Sequence, residues 1–302
     1  MRILVSGLLN VETTVSVRGF PINYYPIDYP FFGINSNVSG VGFNLSKAFT
    51  ILNDNVNLLS FLGQDDEADR ILNQLSKDGI KTDNIRQSLK STPVSTVLYD
   101  PQGKQQIYCD LKDIQEQSIQ ASTVLSELND SELAVLCNIN FNRELIKKAR
   151  QNGVLTATDV HVLSDINDEY NRDFMENADI LFLSDEMLPC AANEFIQQIE
   201  NRFHNRIIVI GMGEKGAMLL DSDTKEISLI PAYHNIKIVN TIGAGDALFS
   251  SFLHFYIKGF DAKAALKRAV VFAGVKIGYN GASVGFCTEQ EIENKMEGIV
   301  WN

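Results

Sequence analysis

The sequence predicts an α/β protein with a doubly wound, mainly parallel sheet, helices on both faces and a small β lid. Apolar runs suited to buried strands alternate with helical segments along most of the chain. Two segments interrupt this alternation: an aromatic, proline-rich stretch at residues 12–36 and a hairpin pattern within residues 92–112. The composition marks no linker, so we expect residues 1–302 to form one domain whose lid comes from these two segments.

Charge and cysteine content exclude several classes of function. The 302 residues include 26 basic and 38 acidic side chains, which gives a net charge of −12. A nucleic-acid or anionic-membrane partner requires a basic face, so we expect neither. No apolar segment is long enough for a secretory signal or a membrane span. The four cysteines form no CxxC pair, so we expect a cytoplasmic protein with reduced thiols at Cys109, Cys137, Cys190 and Cys287.

The first half of the chain predicts two βα units and the lid. A strand at Arg2–Val5 ends at Gly7, a glycine turn at 39–44 leads into a helix, and a buried strand at Val56–Phe61 precedes an acidic helix near 66–77. Prolines recur too often within residues 12–36 for a helix, so this segment should be an extended flap that covers a ligand or a partner chain. Ser95–Tyr99 and Gln105–Cys109 flank a turn-forming Asp-Pro-Gln-Gly and predict a hairpin.

The second half resumes the alternation. We expect helices near 142–152 and 190–202, and then two more at Ala262–Gly278 and Glu289–Met296. Parallel strands are expected at Ala134–Cys137, Val154–Ala157, Ile180–Leu183 and Ile207–Ile210. Short antiparallel strands should follow at Ala217–Leu220, Ser228–Ile230 and Ile236–Val239.

The stretch Gly243-Ala244-Gly245-Asp246 predicts a glycine turn at the start of a buried helix. Small residues leave backbone N–H groups bare at a helix N-terminus, where the helix dipole favours an anion. Asp246 adds a carboxylate in the first turn, and an anion cradle beside a base suits phosphoryl transfer. The alternative is an ordinary helix start with an aspartate that stabilises the dipole.

A second glycine pattern, Gly211-x-Gly213-x-x-Gly216, follows the strand Ile207–Ile210. It matches the dinucleotide fingerprint in letters, but that fingerprint must open a helix. Here an apolar strand follows, so we expect a strand–turn–strand loop that could hold a mononucleotide phosphate through backbone N–H groups. The chain contains no P-loop motif.

Polar residues follow the first strand, where ligands bind in open α/β sheets. Asn10 and Glu12 are two residues apart and could point the same way to grip adjacent hydroxyls, or they could belong to a solvated loop. Gly40, Gly42 and Asn44 leave a similar choice between a tight helix start and a backbone approach to a polyol.

In this order the motifs resemble those of the ribokinase-like (PfkB-type) carbohydrate kinase family over nearly the whole chain. The stretch Thr241-Ile-Gly-Ala-Gly-Asp246 is a specific match, and Ser39-Gly-Val-Gly-Phe-Asn44 is a good one. The resemblance implies a doubly wound α/β fold and transfer of the ATP γ-phosphoryl group to a sugar or nucleoside hydroxyl. It also implies a lid that pairs with a second subunit as a homodimer.

The resemblance implies a role for each matched position. Asp246 would be the base, and the amides of Gly243, Ala244 and Gly245 would be the anion hole. The acceptor site would comprise Asn10, Glu12, Gly40, Val41, Gly42, Asn44 and Asn140. The nucleotide site would comprise Ser184, Gly211, Gly213, Gly216, Thr241 and Gly281.

Several positions depart from the family pattern. Asn240 stands where the family has an aspartate, which weighs against a monovalent cation (K⁺) that would use that carboxylate. The N-x-x-E motif that helps to place Mg²⁺ falls on Ser184-Asp185-Glu186-Met187, where Asp185 or Glu186 would have to substitute. A Thr that often meets the phosphate is replaced by Gly211.

The acceptor site departs as well: Glu12 replaces an aspartate and Val41 a lysine. We therefore expect a divergent ATP- and Mg²⁺-dependent kinase that phosphorylates a hydroxymethyl group on a small sugar or nucleoside-like substrate. The altered Ser184–Met187 segment favours a second interpretation, a non-catalytic sugar-binding or sensing protein that retains the fold.

Overall fold

The computed structural model describes residues 1–234 and 236–301. In the first half the elements alternate as the sequence predicts, with an additional edge strand, β5. They are β1 (Arg2–Ser6), β2 (Asn10–Ser16), β3 (Ile34–Ser39), α1 (Val41–Ile51), β4 (Asn55–Leu62), α2 (Asp66–Lys77), β5 (Asn84–Gln87), β6 (Val94–Tyr99) and β7 (Gln105–Asp110).

The second half adds six strands and seven helices within the described residues. They are α3 (Leu125–Asn129), β8 (Leu133–Leu136), α4 (Arg143–Gln151), β9 (Leu155–Val162), α5 (Arg172–Asn177), β10 (Ile180–Ser184), α6 (Ala192–Phe203), β11 (Ile207–Gly211), β12 (Ala217–Asp221), β13 (Glu226–Ile230), α7 (Ala244–Ile257), α8 (Ala262–Lys276) and α9 (Glu289–Met296).

Within the described residues, the main sheet has nine strands in the order β13-β12-β11-β10-β9-β8-β1-β4-β5. In this order, all neighbouring strands between β11 and β5 pair in parallel. Strand β12 pairs antiparallel with both β11 and β13. The chain leaves β1 towards β4 on one side and returns to β8 on the other. Strand order reverses there, and the carboxyl ends of strands at such a switch point are where ligands bind in open α/β sheets.

Helices cover both faces of the main sheet, which confirms the doubly wound class. One apolar core contains Phe49 of α1, Phe252 of α7 and Phe272 of α8. The other core lies on the opposite face and contains Leu145 of α4 and Phe195 of α6. Alternate residues of the parallel strands point to opposite faces, so each strand supplies both cores.

A second sheet, here called the small sheet, takes strands from both segments predicted to form the lid. Its order is β3-β2-β6-β7 within the described residues, and β2 pairs in parallel with β6. The loop 17–33 joins β2 to β3 and contains the recurring prolines. The hairpin of β6 and β7 turns at Asp100, whose Oδ1 accepts the Lys104 N–H at 2.9 Å.

The prediction of a strand at Ile236–Val239 is wrong. Residues 236–240 are irregular, and the N–H groups of Val239 and Asn240 donate to the Ile277 carbonyl after α8 instead of to a neighbouring strand. Ile238 and Val239 are half exposed, so the apolar alternation here does not mark a buried face. In the described residues no helix is both long and apolar enough to cross a membrane.

Candidate active site

The start of α1 packs directly on the segment that follows β1. The Gly42 N–H donates to the Leu8 carbonyl at 2.9 Å. A Cβ on Gly40 would lie 2.4 Å from the same oxygen, and Gly40 has φ 99°, a conformation that glycine adopts without strain. This close approach brings the first turn of α1, with Val41 and Asn44, beside the first residues of β2.

Asn10 and Glu12 lie on β2, so their side chains share one face of the small sheet as predicted. The buried Asn10 donates from Nδ2 to Ser95 Oγ at 2.9 Å, while its Oδ1 has no hydrogen-bond partner among the described residues. Asn44 Oδ1 is likewise buried without a partner in that part of the chain. Buried amide oxygens of this kind are normally satisfied, so both can accept a hydroxyl of a bound molecule.

Glu12 is held in an environment that disfavours its charge. Burial raises the pKa of the Glu12 carboxyl to about 7, and the nearby Asp246 carboxylate adds to that increase. The Ser39 hydrogen bond and the charge of Lys276 act in the opposite direction. Near neutral pH Glu12 therefore exchanges between a hydrogen-bond donor and an acceptor.

Asp246 lies in the first turn of α7, and Asn44 binds it. Asn44 Nδ2 donates to Asp246 Oδ2 at 2.7 Å, which joins the first turn of α1 to the start of α7. Burial raises the pKa of Asp246 to about 6, although the Asn44 bond acts to lower it. A base with a pKa near the working pH is suited to proton abstraction.

The turn before α7 is fixed by close packing. Gly243 has φ 77°, and a Cβ there would lie 2.3 Å from the Ala282 carbonyl oxygen. The Ala244 N–H donates to the Thr241 carbonyl at 3.1 Å, so this predicted anion-hole amide is engaged within the turn. The helix ladder begins with Ala247 N–H onto the Gly243 carbonyl. The N–H groups of Gly243 and of the exposed Gly245 come before this first donor of the helix, so the hydrogen bonds within the helix do not engage them.

Three charged residues that sequence reasoning missed act on Asp246. The charges of His161 and Lys276 act to lower its pKa, and Asp159 acts to raise it. Asp159 and His161 lie near the end of β9, two and four residues beyond the predicted strand end at Ala157. Lys276 is the single charge between Ala269 and Ser283, and that isolation was the available indication in the sequence.

Four of the six residues predicted to bind the nucleotide lie at or just after the ends of β10 and β11, and they are Ser184, Gly211, Gly213 and Gly216. Ser184 pairs with Gly211, and the Asp185 N–H donates to the Gly211 carbonyl at 2.8 Å. The glycine loop closes where the Met212 N–H donates to Gly216 at 2.8 Å, with Gly213 in a short 3₁₀ turn between them. A strand follows the loop, as predicted.

Mg²⁺ is usually held by one or two carboxylates together with substrate phosphates. Asp185 and Glu186 meet that description, because they follow β10 next to Gly211, and Glu186 is exposed. Among residues 1–234 and 236–301, no group of three His, Cys, Asp or Glu side chains could form a protein-only metal cage.

Thr241 and Gly281 lie against the small sheet. Gln105 Nε2 of β7 donates to Thr241 Oγ1 at 2.7 Å. Nearby, Val97 of β6 packs with Ile242 and Ala282 in a small apolar cluster. A Cβ on Gly281 would lie 3.5 Å from Asn37 Nδ2 of β3. The small sheet therefore contacts the turn that precedes Asp246.

Both ends of the Asn140 amide bind protein groups. Its Nδ2 donates to the Gln115 carbonyl at 3.0 Å, and its Oδ1 accepts from Arg143 Nε at 3.0 Å. These contacts fix the loop after β8, so in this conformation the amide has a positioning role within the loop.

The Asn240 side chain is also engaged. Its Oδ1 accepts the Ile242 N–H at 3.2 Å, and its Nδ2 donates to Asn280 Oδ1 at 2.7 Å. The amide supplies no negative charge, and the Lys276 ammonium donates to the Ile242 carbonyl on the same turn. These residues do not fit a monovalent cation.

Relatives of this chain are sugar and nucleoside kinases by name. The deoxyribokinase of Salmonella typhi is 38% identical over 79 residues, a match that spans 26% of this chain and 25% of the relative. The ribokinase of Lactococcus lactis is 24% identical over 276 residues, which spans 87% of each chain.

Solved structures share the fold over nearly the full length. A microbiome-derived acarbose kinase has a TM-score of 0.86 at 21% identity, with 97% of each chain covered. The ribokinase of Arabidopsis thaliana, solved with ribose and ATP, has a TM-score of 0.81 at 17% identity, with 98% and 99% covered.

A family model described as pfkB family carbohydrate kinase matches residues 25–289, most of the chain. The matched range includes Asn44, the glycine loop and Asp246, so it contains the predicted base and the segments around it. The protein belongs to the PfkB family of carbohydrate kinases.

Proposed function

We propose that the protein transfers the γ-phosphoryl group of ATP to a hydroxymethyl group of a small sugar or nucleoside-like molecule. The observation that carries this proposal is the 2.7 Å bond between Asn44 Nδ2 and Asp246 Oδ2. It brings a residue of the acceptor segment into contact with a partly desolvated carboxylate at a helix N-terminus. An acceptor hydroxyl, a base and anion-binding amides are the parts that phosphoryl transfer needs in one place.

In the proposed reaction Asp246 takes the proton of the acceptor hydroxyl as its oxygen attacks the γ-phosphorus. The bond between that phosphorus and the oxygen it shares with the β-phosphate breaks, and ADP leaves. The amides of Gly243 and Gly245 donate to the transferring group, where developing charge is best stabilised by preorganised dipoles. The proton on Asp246 then passes to solvent.

Other residues bind and orient the reactants. The unpartnered amide oxygens of Asn10 and Asn44 accept hydrogen bonds from hydroxyls of the sugar or nucleoside-like molecule. Glu12 binds a further hydroxyl. The backbone of the loop from Gly211 to Gly216 lies along the nucleotide phosphates. Asp185 and Glu186 would hold Mg²⁺, which supplies positive charge to the phosphates when it is bound.

We propose that the small sheet is a lid that excludes water and that it pairs with a second copy of the chain. Support comes from the apolar side chains exposed on the small sheet and on the loop 17–33, since exposed apolar surface marks an interaction site when it forms a patch. Phe32 is fully exposed, and other exposed apolar side chains of the small sheet and of the loop 17–33 are Tyr24, Tyr29, Phe31, Ile34, Ile107 and Tyr108.

Release of ADP in the presence of Mg²⁺ tests the proposal. Purified protein is offered ATP with pentoses, deoxypentoses, hexoses and nucleosides, and the phosphorylated product is identified by mass spectrometry. On the best acceptor, Asp246→Asn should lower kcat roughly 10²–10⁴-fold, because general-base catalysis is lost. The control is Asp130→Asn, which changes an exposed carboxylate after α3. Full turnover by Asp246→Asn would contradict the mechanism.

The second candidate is a sugar-binding or sensing protein without catalysis. The observation that favours it is that Ser184–Met187 keeps neither the Asn nor the Glu of the family motif. Calorimetric binding of a sugar by the wild-type protein, without ADP release from ATP and Mg²⁺, would favour this candidate over the kinase.

A further inference from the structure

Lys276, the last residue of α8, is a buried cation beside the proposed site. Its side chain has 0% exposure. An isolated ammonium group is strongly disfavoured away from water unless charged or hydrogen-bonding groups compensate it. The charged groups that face it are Asp246 from α7 and Glu12 from β2. Its position therefore ties together the base, the acceptor segment and the end of α8.

The ammonium group also binds the anion-hole turn. Lys276 Nζ donates to the Ile242 carbonyl oxygen. That carbonyl and the Gly243 N–H belong to one peptide unit, and in a planar trans peptide the two groups point in opposite directions. Holding the carbonyl on the Lys276 side therefore directs the Gly243 N–H away from Lys276. A side chain on α8 thus sets the direction of an amide that we assign to the transferring phosphoryl group.

Among the described residues, Lys276 is the one positively charged group that donates to the Ile242 carbonyl. Asn240 contributes an uncharged amide, and both of its ends are already bound by Ile242 N–H and Asn280. Within residues 1–234 and 236–301, the Lys276 ammonium group therefore supplies the positive charge on this turn.

We propose that Lys276 is a positioning residue whose ammonium group fixes the Ile242–Gly243 peptide of the anion hole and replaces a monovalent cation. This inference rests on the proposed kinase function. It has two consequences: turnover needs no K⁺, and it depends on the charge of Lys276.

The charge of Lys276 can be lost within an accessible pH range. Burial lowers the pKa of the Lys276 ammonium to about 8, although Asp246 and Glu12 act to raise it. The group is charged below that pH and neutral above it. Turnover of the wild-type protein should therefore fall on the alkaline side as the Ile242 carbonyl loses its cation.

The first test uses the wild-type protein alone. ADP release and thermal unfolding are measured at fixed ionic strength with K⁺, Na⁺ or tetramethylammonium, the last being too large for a small cation site. We expect kcat to agree within about twofold and Tm within about 1 °C, because a bound ion would stabilise the folded state by mass action. A tenfold or greater activation by K⁺, or a K⁺-specific rise in Tm, would overturn the proposal.

The second test compares Lys276→Met with Lys263→Met. Methionine keeps the length and apolar stem of Lys276 without the charge, and Lys263 is a half-exposed lysine on the same helix, paired with Glu226 at 2.9 Å. We expect Lys276→Met to lower kcat roughly 10- to 100-fold, less than complete loss of an anion-hole donor, with the KM for the acceptor changed less than about threefold. Its alkaline limb should disappear, whereas Lys263→Met should keep the wild-type profile.

The outcomes separate this inference from the kinase proposal. A wild-type protein that releases no ADP with any acceptor would refute both. Turnover that is lost in Asp246→Asn but kept in full by Lys276→Met, or an alkaline limb that persists in Lys276→Met, would refute the role of Lys276 alone. If Lys276→Met fails to fold, the ion dependence of the wild-type protein still decides.

Discussion

The partly buried Asp246 carboxylate should make the protein less stable at the pH where it works. We expect Asp246→Asn to be inactive and more stable than the wild type at pH 8. Asparagine has the shape of the protonated acid and its oxygen can still accept from Asn44. The substitution therefore removes a charge that burial disfavours without opening a cavity.

The magnitude follows from the displaced pKa. Burial raises the pKa of Asp246 from 3.8 to about 6, so the folded state holds its proton where the unfolded state has lost it. Stability then falls as pH rises through that window, by about 3 kcal/mol at full shift. Because Asp246 keeps some solvent exposure, we take about 2 kcal/mol at pH 8 and under about 1 kcal/mol at pH 4.5. For a chain of this size, the pH 8 value is about 3 °C in Tm.

The assay is thermal unfolding at several pH values between 4.5 and 8, with Asp173→Asn as a control of opposite sign. Partial burial acts to raise the pKa of Asp173, but Lys147 and Arg143 lower it overall. A lowered pKa stabilises the folded state above the unfolded pKa, and this is lost as pH falls. Asp173→Asn should therefore destabilise most at pH 8. An Asp246→Asn protein that is less stable than wild type at pH 8, or a difference that does not grow with pH, would refute the reasoning.

Two further predictions concern the acceptor site and the assembly. Asn44→Ala removes the bond that lowers the pKa of Asp246, so the acidic limb of kcat/KM should move to higher pH. Activity at pH 6 should then be about tenfold lower than at pH 8. An acidic limb that does not shift would refute the effect of Asn44 on the pKa of Asp246. Phe32→Glu places a charge at a fully exposed aromatic position of the loop that joins β2 to β3, and it should convert a dimer to a monomer in sedimentation velocity. Lys90→Glu, at another exposed site, should not. A wild-type protein that sediments as a monomer would refute pairing through the small sheet and this loop.

Local patterns were sufficient to predict most of the fold. Apolar runs and glycine turns indicate where the parallel strands and the flanking helices lie. This works because the spacing of apolar residues within each element shows which of its faces is buried. The prediction of a strand at Ile236–Val239 is wrong because apolar alternation alone does not show that a neighbouring strand is available for pairing. The Val239 N–H donates to the Ile277 carbonyl after α8 instead.

The candidate site was less accessible to sequence reasoning. Asn10 and Glu12 share a face because they are two residues apart on one strand, which the spacing predicts. The bond between Asn44 and Asp246 joins residues 202 positions apart. The resemblance to known kinases assigned both residues to one site, but it did not predict this bond. Lys276 and His161 act on Asp246 from other elements, and no local pattern reports which charges a fold brings together.

The connections between the two sheets determine how the site can open. The segment Gly7–Leu9 separates β1 from β2, and Gly40 alone separates β3 from α1. Asn10 and Asn44 therefore lie next to these connections, at the pivot of any rotation of the small sheet. Gln105 lies at the start of β7, and its side chain donates to Thr241 Oγ1 in the turn before α7. We expect outward rotation to break that bond while Asn44 stays on Asp246, so that these two residues remain in contact while molecules are exchanged.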